Sequence, residues 1–152
     1  MYVKKQFDSY KLKIDDGSIF DPIRNKYVKL TPEEIVRQQT VQFLIKKMRV
    51  PKDKICVEIG LSSLISTFSR KRIDICIFHE KPIAIVECKA NYIGYSDAAY
   101  IQAIDYVEEL GLKCYFVSDG IELIGYFYNS ARQQYEPMET IPSYAQLISL
   151  AE

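Results

Sequence analysis

The sequence predicts an α/β domain built around a mixed β-sheet. Three observations lead to this class: apolar runs of strand length, segments with helical periodicity, and the order helix, three strands, helix, two strands. With 152 residues, 48% of them apolar, one domain can bury a substantial core. We expect a single domain over 1–152, made of an N-terminal arm (1–30, partly extended), a core (31–128) and a C-terminal extension (129–152).

The first predicted helix lies in LTPEEIVRQQTVQFLIKKM. Thr31 suits the N-cap, Pro32 suits the first helical position, and Pro51 ends the segment. The residues spaced for a buried stripe are Val36, Thr40, Phe43, Leu44 and Met48. A second helix is predicted in SDAAYIQAIDYVEELG, ending at Gly111, and a short third one in PSYAQLISLAE.

The predicted strands are ICVEIGL, RKRIDICIF, KPIAIVECKA, KCYFVSDG and ELIGYFYN. In the first strand, alternation places Ile55, Val57, Ile59 and Leu61 on one face and Glu58 on the other. The second and third strands are separated only by the HEKP segment, so they are expected to form an antiparallel hairpin.

The composition excludes several kinds of chemistry. His79 is the single histidine, so a serine or cysteine nucleophile has almost no candidate base. The four cysteines are Cys56, Cys76, Cys88 and Cys114. They are scattered through apolar, strand-like runs, which favours reduced buried thiols over a zinc site. No apolar run approaches membrane-spanning length and the N terminus lacks a signal-peptide core, so we expect a cytoplasmic protein.

The net charge is zero, but the two signs are unevenly distributed along the chain. Residues 1–72 hold 16 Lys and Arg against 8 Asp and Glu, whereas residues 73–152 hold 4 against 12. A basic half can attract a polyanion and an acidic half can hold a cation. Taken alone, the charge distribution favours a mixed, solvated surface.

The predicted hairpin brings two acids together. If its turn is centred on residues 80–81, His79 pairs with Pro82, and Asp74 then falls directly opposite Glu87. Alternation places Ile83, Ile85, Glu87 and Lys89 on one face of their strand. Opposed carboxylates repel each other, so a divalent cation with oxygen ligands is expected to offset the repulsion.

This constellation suits hydrolysis of a phosphodiester bond. A cation neutralises the phosphate and generates a nucleophile near neutral pH. Asp74 and Glu87 are the expected ligands of Mg²⁺ or Mn²⁺, with the backbone carbonyl of Cys88 as a further ligand. Lys89 would orient or deprotonate the attacking water. The alternative is a surface ion-pair ladder of Asp74, Glu87 and Lys89.

At these residues the chain resembles the PD-(D/E)XK nuclease superfamily. RIDICIF is followed by IAIVECKA and then by a helix with Gln102 and Tyr106, which is the order of that superfamily. More closely, residues 24–128 resemble the N-terminal nuclease domain of the R subunit of type I restriction enzymes. The resemblance includes the segments KYVKLTPEEIVRQQTVQFLI and YFVSDGIEL. It implies a restriction-endonuclease-like core, a mixed sheet flanked by helices.

The resemblance also implies roles for individual residues. Asp74 and Glu87 would bind the metal and Lys89 would be the catalytic lysine. Gln102 and Tyr106 match a Q-x-x-x-Y pattern that the family turns toward the site. Auxiliary acids are Glu34, which equally suits a helix N terminus, and Glu58, which equally suits a buried structural role. There are two departures: Asp105 lies within the Q-x-x-x-Y segment, and the chain has no P-loop.

These observations predict a Mg²⁺-dependent DNA endonuclease that works with a separate motor or specificity subunit. Arg70, Lys71 and Arg72 are expected to contact the DNA backbone, and Tyr92, Tyr95 and Tyr100 are candidates for stacking on unpaired bases. A second reading is a weakly active or inactive DNA-binding or protein-interaction module of the same fold. A third is a homodimeric, resolvase-like nuclease acting on branched DNA.

Overall fold

A computed structural model describes the backbone of residues 4–6, 9–90 and 97–152, with side chains for 9–90 and 103–152. Over these residues ten strands form two sheets, and three α-helices accompany them. The predicted mixed α/β class is confirmed. None of the helices in these ranges is long and apolar enough to cross a membrane.

The strands divide into a small and a large sheet. The small sheet is formed by β2 (Ile14–Asp15), β3 (Ser18–Asp21) and β4 (Lys26–Lys29). The large sheet contains β1 (Lys4–Gln6), β5 (Ile55–Gly60), β6 (Arg72–His79), β7 (Lys81–Cys88), β8 (Cys114–Ser118), β9 (Glu122–Asn129) and β10 (Gln134–Pro137). Its order is β1-β9-β8-β7-β6-β5, and β10 also pairs with β9. Only β7 and β8 pair in parallel among the described strands.

The helices begin and end close to their predicted limits. They are α1 (Pro32–Lys46), α2 (Asp97–Leu110) and α3 (Tyr144–Ala151). The Thr31 hydroxyl caps α1 by accepting a hydrogen bond of 3.1 Å from the backbone N–H of Glu34. Ser143 and Gln146 form a capping box at the start of α3. Gly111 follows α2 with φ +67°, the left-handed conformation that terminates helices.

Two apolar clusters lie on opposite faces of the large sheet. The first joins the sheet to α1 and α3 through residues such as Val41, Leu44 and Leu147. The second joins it to α2 through Ala103 and Val107. Because both faces are covered, the central strands are apolar on both sides, as continuous runs such as IAIV require. Three of the four free cysteines are buried, but Cys56 is only half-buried, which corrects the expectation for that residue.

The β6–β7 hairpin has the predicted register beside the site but not at its turn. The pairs are Ile75 with Val86, Cys76 with Ile85, and Ile77 with Ala84, as expected. At the turn, His79 pairs with Lys81 instead of Pro82. Glu80 alone lies between them, with φ +64°. A bulge on β7 leaves Ile83 without a partner on β6 and restores the register toward the site.

The bulge also corrects the predicted face of β7. Ile83 packs in the first cluster and Ile85 in the second, although strict alternation placed them together. An inserted residue shifts the alternation by one, so the side chain before the bulge changes face. Glu87 follows Ile85 by two residues and keeps the predicted alternation with it.

Strand β5 departs from alternation at a site residue. Ile55 and Val57 lie in the first cluster, whereas Ile59 and Leu61 pack in the second. The predicted single apolar face is therefore wrong. Glu58 explains the change, because its φ of +50° lies in a region that non-glycine strand residues rarely adopt. A left-handed residue turns the strand and moves the following side chains to the other side.

Helix α1 is fixed against the end of β8 by close polar and backbone contacts. The hydroxyls of Thr40 and Ser118 lie 2.7 Å apart. In the turn after β8, Gly120 has φ +84°, and a Cβ added there would lie 3.2 Å from Cα of Val36. The turn therefore requires glycine both for its conformation and for the approach of α1.

We predict that Gly120→Ala lowers the free energy of unfolding by about 2–5 kcal/mol, since left-handed strain and overpacking add. Gly111→Ala is the matched control, because its φ is also positive but no atom lies within 4 Å of the added Cβ. The control should cost only about 1–2 kcal/mol. Urea unfolding measures both, and equal losses would contradict the close approach of α1.

Candidate active site

Three acids lie on three adjacent strands of the large sheet. Glu58 belongs to β5, Asp74 to β6 and Glu87 to β7. The observed register, with Ile75 opposite Val86, aligns Asp74 with Glu87 on the adjoining strand, and the Asp74 charge acts on Glu87. The second Asp74 oxygen, Oδ2, accepts a bond of 2.8 Å from the backbone N–H of Cys88. The register of the hairpin therefore places the Asp74 carboxylate against β7 and beside Glu87.

Arg37 of α1 connects these acids to the first helix. One guanidinium nitrogen, Nη2, bonds to Glu58 Oε1 and lies 3.2 Å from Asp74 Oδ1. The other, Nη1, lies 2.6 Å from Glu34 Oε1. Arg37 is only 5% exposed. Burial lowers the pKa of the guanidinium, but the charges of the three carboxylates outweigh burial and raise it.

Sequence reasoning missed Arg37, although a signal was present. Arg37 follows Glu34 by three residues, the spacing at which side chains meet on a helix. Arginine in an otherwise apolar helical stripe indicates a buried acidic partner, because its charge is rarely buried unpaired. The partners on β5 and β6 are distant in sequence, so only the fold identifies them.

Glu34 lies at the centre of a second layer of polar contacts. Its Oε1 accepts bonds of 2.6 Å from both Arg37 and Arg24, and its Oε2 accepts one of 3.0 Å from Gln38. Arg24 in turn lies 2.5 Å from the fully buried Asp21. Through these bonds Glu34 fixes the position of Arg37, and through Arg24 it links the small sheet to the site.

Glu58 faces Arg72 as well as Arg37. Its Oε2 accepts a bond of 3.2 Å from Arg72 Nε, and its backbone carbonyl accepts a second bond from the same guanidinium. Arg72 was predicted to contact DNA together with Arg70 and Lys71, and all three are exposed. Lys71 also lies 3.7 Å from Glu109 and 5.8 Å from the centre of the Tyr106 ring. Arg72 and Lys71 are therefore already in contact with acids of the protein.

Burial raises the pKa of Asp74. The Cys88 N–H and the Arg37 charge act in the opposite direction, while the Glu58 charge adds to the rise. The ionised form of Asp74 is favoured only to the extent that the Cys88 N–H and Arg37 compensate for the hydration lost on burial. Asp74 is thus a carboxylate already held by hydrogen bonds on both oxygens.

Glu87 is the most perturbed acid of the site. It is 2% exposed, and burial together with the neighbouring Asp74 raises its pKa to about 8. Lys89 Nζ lies 3.3 Å from Glu87 Oε1 and opposes this rise. A carboxyl with this pKa binds a proton at neutral pH unless another cation replaces it. Strong perturbation by burial and a specific charge partner marks a candidate functional group.

The other predicted site residues are only partly covered by the described side chains. Tyr106 is 3% exposed and packs in the second apolar cluster. Gln102 belongs to α2, but its side chain lies outside the described residues, as does that of Tyr100. Tyr92 and Tyr95 also lie outside them. Cys88 contributes its N–H to Asp74, and the predicted role of its carbonyl as a metal ligand stays a prediction.

A metal bound at these acids would need further ligands that the described side chains of the protein do not supply. In the described parts of the chain, no three His, Cys, Asp or Glu side chains converge to hold an ion. Asp74 and Glu87 nevertheless supply two adjacent carboxylates, and Mg²⁺ commonly takes one or two carboxylates with waters and substrate phosphates. The carboxylate oxygens around Glu87 are donors of the kind that such a cation prefers.

The mixed sheet has helices on both faces and carries a cluster of acids beside Lys89. These features define an α/β protein with an ionic site at adjacent strands. The chain belongs to the family described as the N terminus of the type I restriction enzyme R protein, whose family model matches residues 32–142. The matched region contains α1, the three acidic strands and α2. A comparison with curated proteins finds no match.

A solved structure has a similar fold. It is a fragment assigned as the HsdR subunit of a type I restriction enzyme from Vibrio vulnificus YJ016. The similarity has a TM-score of 0.56 at 21% sequence identity and covers 80% of this chain. The aligned part is 25% of that chain, so this protein spans about a quarter of the length of its solved relative.

We predict that Glu87→Gln stabilises the protein at alkaline pH. Because the pKa of Glu87 is raised to about 8, its protonated form favours folding, and that stability is lost as pH rises from about 4.5 through 8. Glutamine keeps the neutral form. Melting temperatures in EDTA should show a variant advantage that grows between pH 5 and pH 9, whereas a constant difference would contradict the raised pKa.

We predict that Arg37→Met destabilises the fold by about 3–5 kcal/mol, because it leaves three carboxylates without their shared cation. Arg132→Met is the matched control, since Arg132 pairs with Glu136 on the surface and should cost about 0–1 kcal/mol. Denaturant unfolding at pH 7 compares them. A loss for Arg37→Met as small as the control would contradict its central role.

Proposed function

We propose that this chain is a metal-dependent DNA endonuclease domain of the PD-(D/E)XK type. The observation that carries the proposal is the alignment of Asp74 and Glu87 on adjoining strands, with Lys89 Nζ 3.3 Å from Glu87 Oε1. Family membership supports it, because the family is named for a subunit of a restriction enzyme. The substrate class and the reaction are our inference from the site.

Asp74 and Glu87 would hold Mg²⁺ or Mn²⁺, with the Cys88 carbonyl as a third oxygen ligand. When bound, the ion supplies charge neutralisation at the phosphate and acidifies a coordinated water. To bind the ion, Glu87 would give up the proton that its raised pKa keeps on it at neutral pH. Metal affinity should therefore increase with pH across the range in which Glu87 ionises.

Lys89 is the group that would act on the nucleophile or on the phosphate. Its side chain is 31% exposed, whereas Glu87 is buried, so the ammonium lies between the acid and solvent. In this position Lys89 can orient an attacking water or stabilise developing negative charge. Glu34 and Arg37 act as positioning residues, because they hold Asp74 from the side of α1.

DNA would approach over the exposed basic residues that precede β6. Arg70, Lys71 and Arg72 are exposed and follow one another on the chain segment that leads to Asp74. Their charges would provide sequence-independent, salt-sensitive affinity for the phosphate backbone. As a cytoplasmic restriction component, the domain would act with separate motor and specificity subunits; a homodimer remains an alternative assembly.

A second function is an inactive binding module of the same fold. It is favoured by one observation: Arg37 lies 3.2 Å from Asp74 Oδ1, where it satisfies charge that a metal would otherwise neutralise. If this contact persists in the presence of the ion, Asp74 is not available as a ligand. The two functions make opposite predictions for cleavage and for metal affinity.

We predict metal-dependent cleavage of plasmid or single-stranded DNA that falls at least about a hundredfold in Glu87→Ala and Lys89→Ala, because each removes a group acting in the reaction. Gel assays with Mg²⁺, Mn²⁺ and EDTA measure it. The matched controls are Glu80→Gln and Lys81→Ala, exposed residues at the far end of the same hairpin. Cleavage that survives both site variants would remove the site assignment.

We also predict that the wild-type protein binds Mn²⁺ in calorimetric titration without DNA, and that Asp74→Asn weakens this binding at least about tenfold because it removes a charged oxygen ligand. Asp105→Asn, an exposed residue of α2, is the control and should bind as the wild type does. An unchanged Mn²⁺ affinity in Asp74→Asn, or no binding by the wild type, would favour the inactive module.

A further inference from the structure

The loop between β5 and β6 presents an aromatic ring to solvent. Phe68 is fully exposed, and no other large apolar side chain in the described residues is as exposed. Burial of a phenylalanine side chain stabilises a fold, and this position forgoes that gain. Single exposed apolar residues are common on protein surfaces, so the groups around Phe68 decide what this ring could bind.

Backbone pairing closes the base of this loop. The N–H of Leu61 donates a bond of 2.9 Å to the carbonyl of Lys71, and Gly60 pairs with Arg72 beneath it. Leu61 is completely buried, and Leu64 and its neighbour Ile65 pack against the second apolar cluster. The start of the loop is thus anchored in the core by Leu61, whereas most of its second half is exposed.

The tip of the loop is ordered by its own polar side chains. The Thr67 hydroxyl accepts a bond of 3.1 Å from the N–H of Ser69, and the Ser69 hydroxyl accepts one of 3.2 Å from the N–H of Lys71. The first of these turns contains Phe68 and the second follows it directly. The ring is therefore held out by local structure, which reduces the entropy lost when it binds a partner.

The charge of the loop indicates which kind of partner it would bind. Residues 62–72 contain three cations and no acid. Lys71 ties the loop to Glu109 of α2, and Arg72 ties its end to Glu58. Arg70 is exposed beside Phe68. An aromatic ring among cations, at the edge of an acidic cluster, matches a nucleic-acid strand, whose phosphates attract the cations and whose bases stack on the ring.

We propose that Phe68 stacks on an unpaired base of the DNA, while Arg70 contacts the adjacent phosphate. The proposal rests on the proposed function for its choice of DNA, and it adds a base-contacting element that selects unpaired or distorted strands. Arg72 joins the end of the loop to Glu58, so a strand bound by the loop would lie beside the candidate active site. The loop would hold a single strand beside Asp74 and Glu87.

Fluorescence anisotropy with a single-stranded oligonucleotide in EDTA tests the proposal on the full chain. Stacking on an aromatic side chain is worth about 1–3 kcal/mol per base, so Phe68→Ala should weaken binding roughly five- to hundredfold. Phe68→Trp should restore it. Arg70→Ala should reduce the slope of log affinity against log salt by about one, whereas Phe68→Ala should leave that slope unchanged.

A 2-aminopurine base in the oligonucleotide reports stacking directly. Its fluorescence should fall on binding to the wild type and to Phe68→Trp, and should stay high with Phe68→Ala. Leu150→Ala, an exposed apolar residue of α3, is the control and should behave as the wild type does. Equal affinity and equal quenching in Phe68→Ala would overturn the proposal.

The outcomes separate this proposal from the proposed nuclease. Phe68-dependent binding without metal-dependent cleavage would contradict the nuclease alone. Cleavage that depends on Lys89 but not on Phe68, with unchanged binding, would overturn the stacking role alone. Phe68-dependent capture of a protein, with no affinity for DNA, would overturn both.

Discussion

The buried guanidinium of Arg37 is the interaction on which the rest of the structure depends. It is shared by Glu34 of the first helix and by Glu58 and Asp74 of two neighbouring strands. Without it, acids on three separate elements would face one another at low exposure, and like charges at such distances destabilise a fold. The same contact joins α1 to the ends of the strands that carry the candidate site, so stability and site geometry depend on one side chain.

Two backbone irregularities make this arrangement possible. The left-handed Glu58 costs roughly 1–3 kcal/mol for a residue with a side chain, and such strain concentrates where function requires it. It changes the face of β5 while leaving Glu58 within reach of Arg37 and Arg72. The bulge at Ile83 acts similarly on β7, since it allows a one-residue turn at Glu80 and still aligns Glu87 with Asp74.

Much of the core could be predicted from local sequence, but its irregularities could not. Thr31, Pro32 and the apolar spacing of α1 define a helix whose limits agree with the structure, because caps and periodicity are local properties. The sequence also predicts the register that aligns Asp74 with Glu87, and the pair Ile75–Val86 has that register, although the assumed turn was wrong and the bulge compensated for it. Arg37, β10 and the small sheet depend on contacts between distant segments, which no local pattern encodes. Family membership is established over residues 32–142, whereas the chemistry remains our proposal.

The central claim is that Asp74 and Glu87 together bind a divalent cation. Crystals soaked in Mn²⁺ test it most directly, because anomalous scattering locates the ion independently of activity. We expect one peak at metal–oxygen bonding distance, roughly 2.0–2.3 Å, from a carboxylate oxygen of each acid. A peak bound elsewhere, or none at these acids while Arg37 still contacts Asp74, would contradict the account.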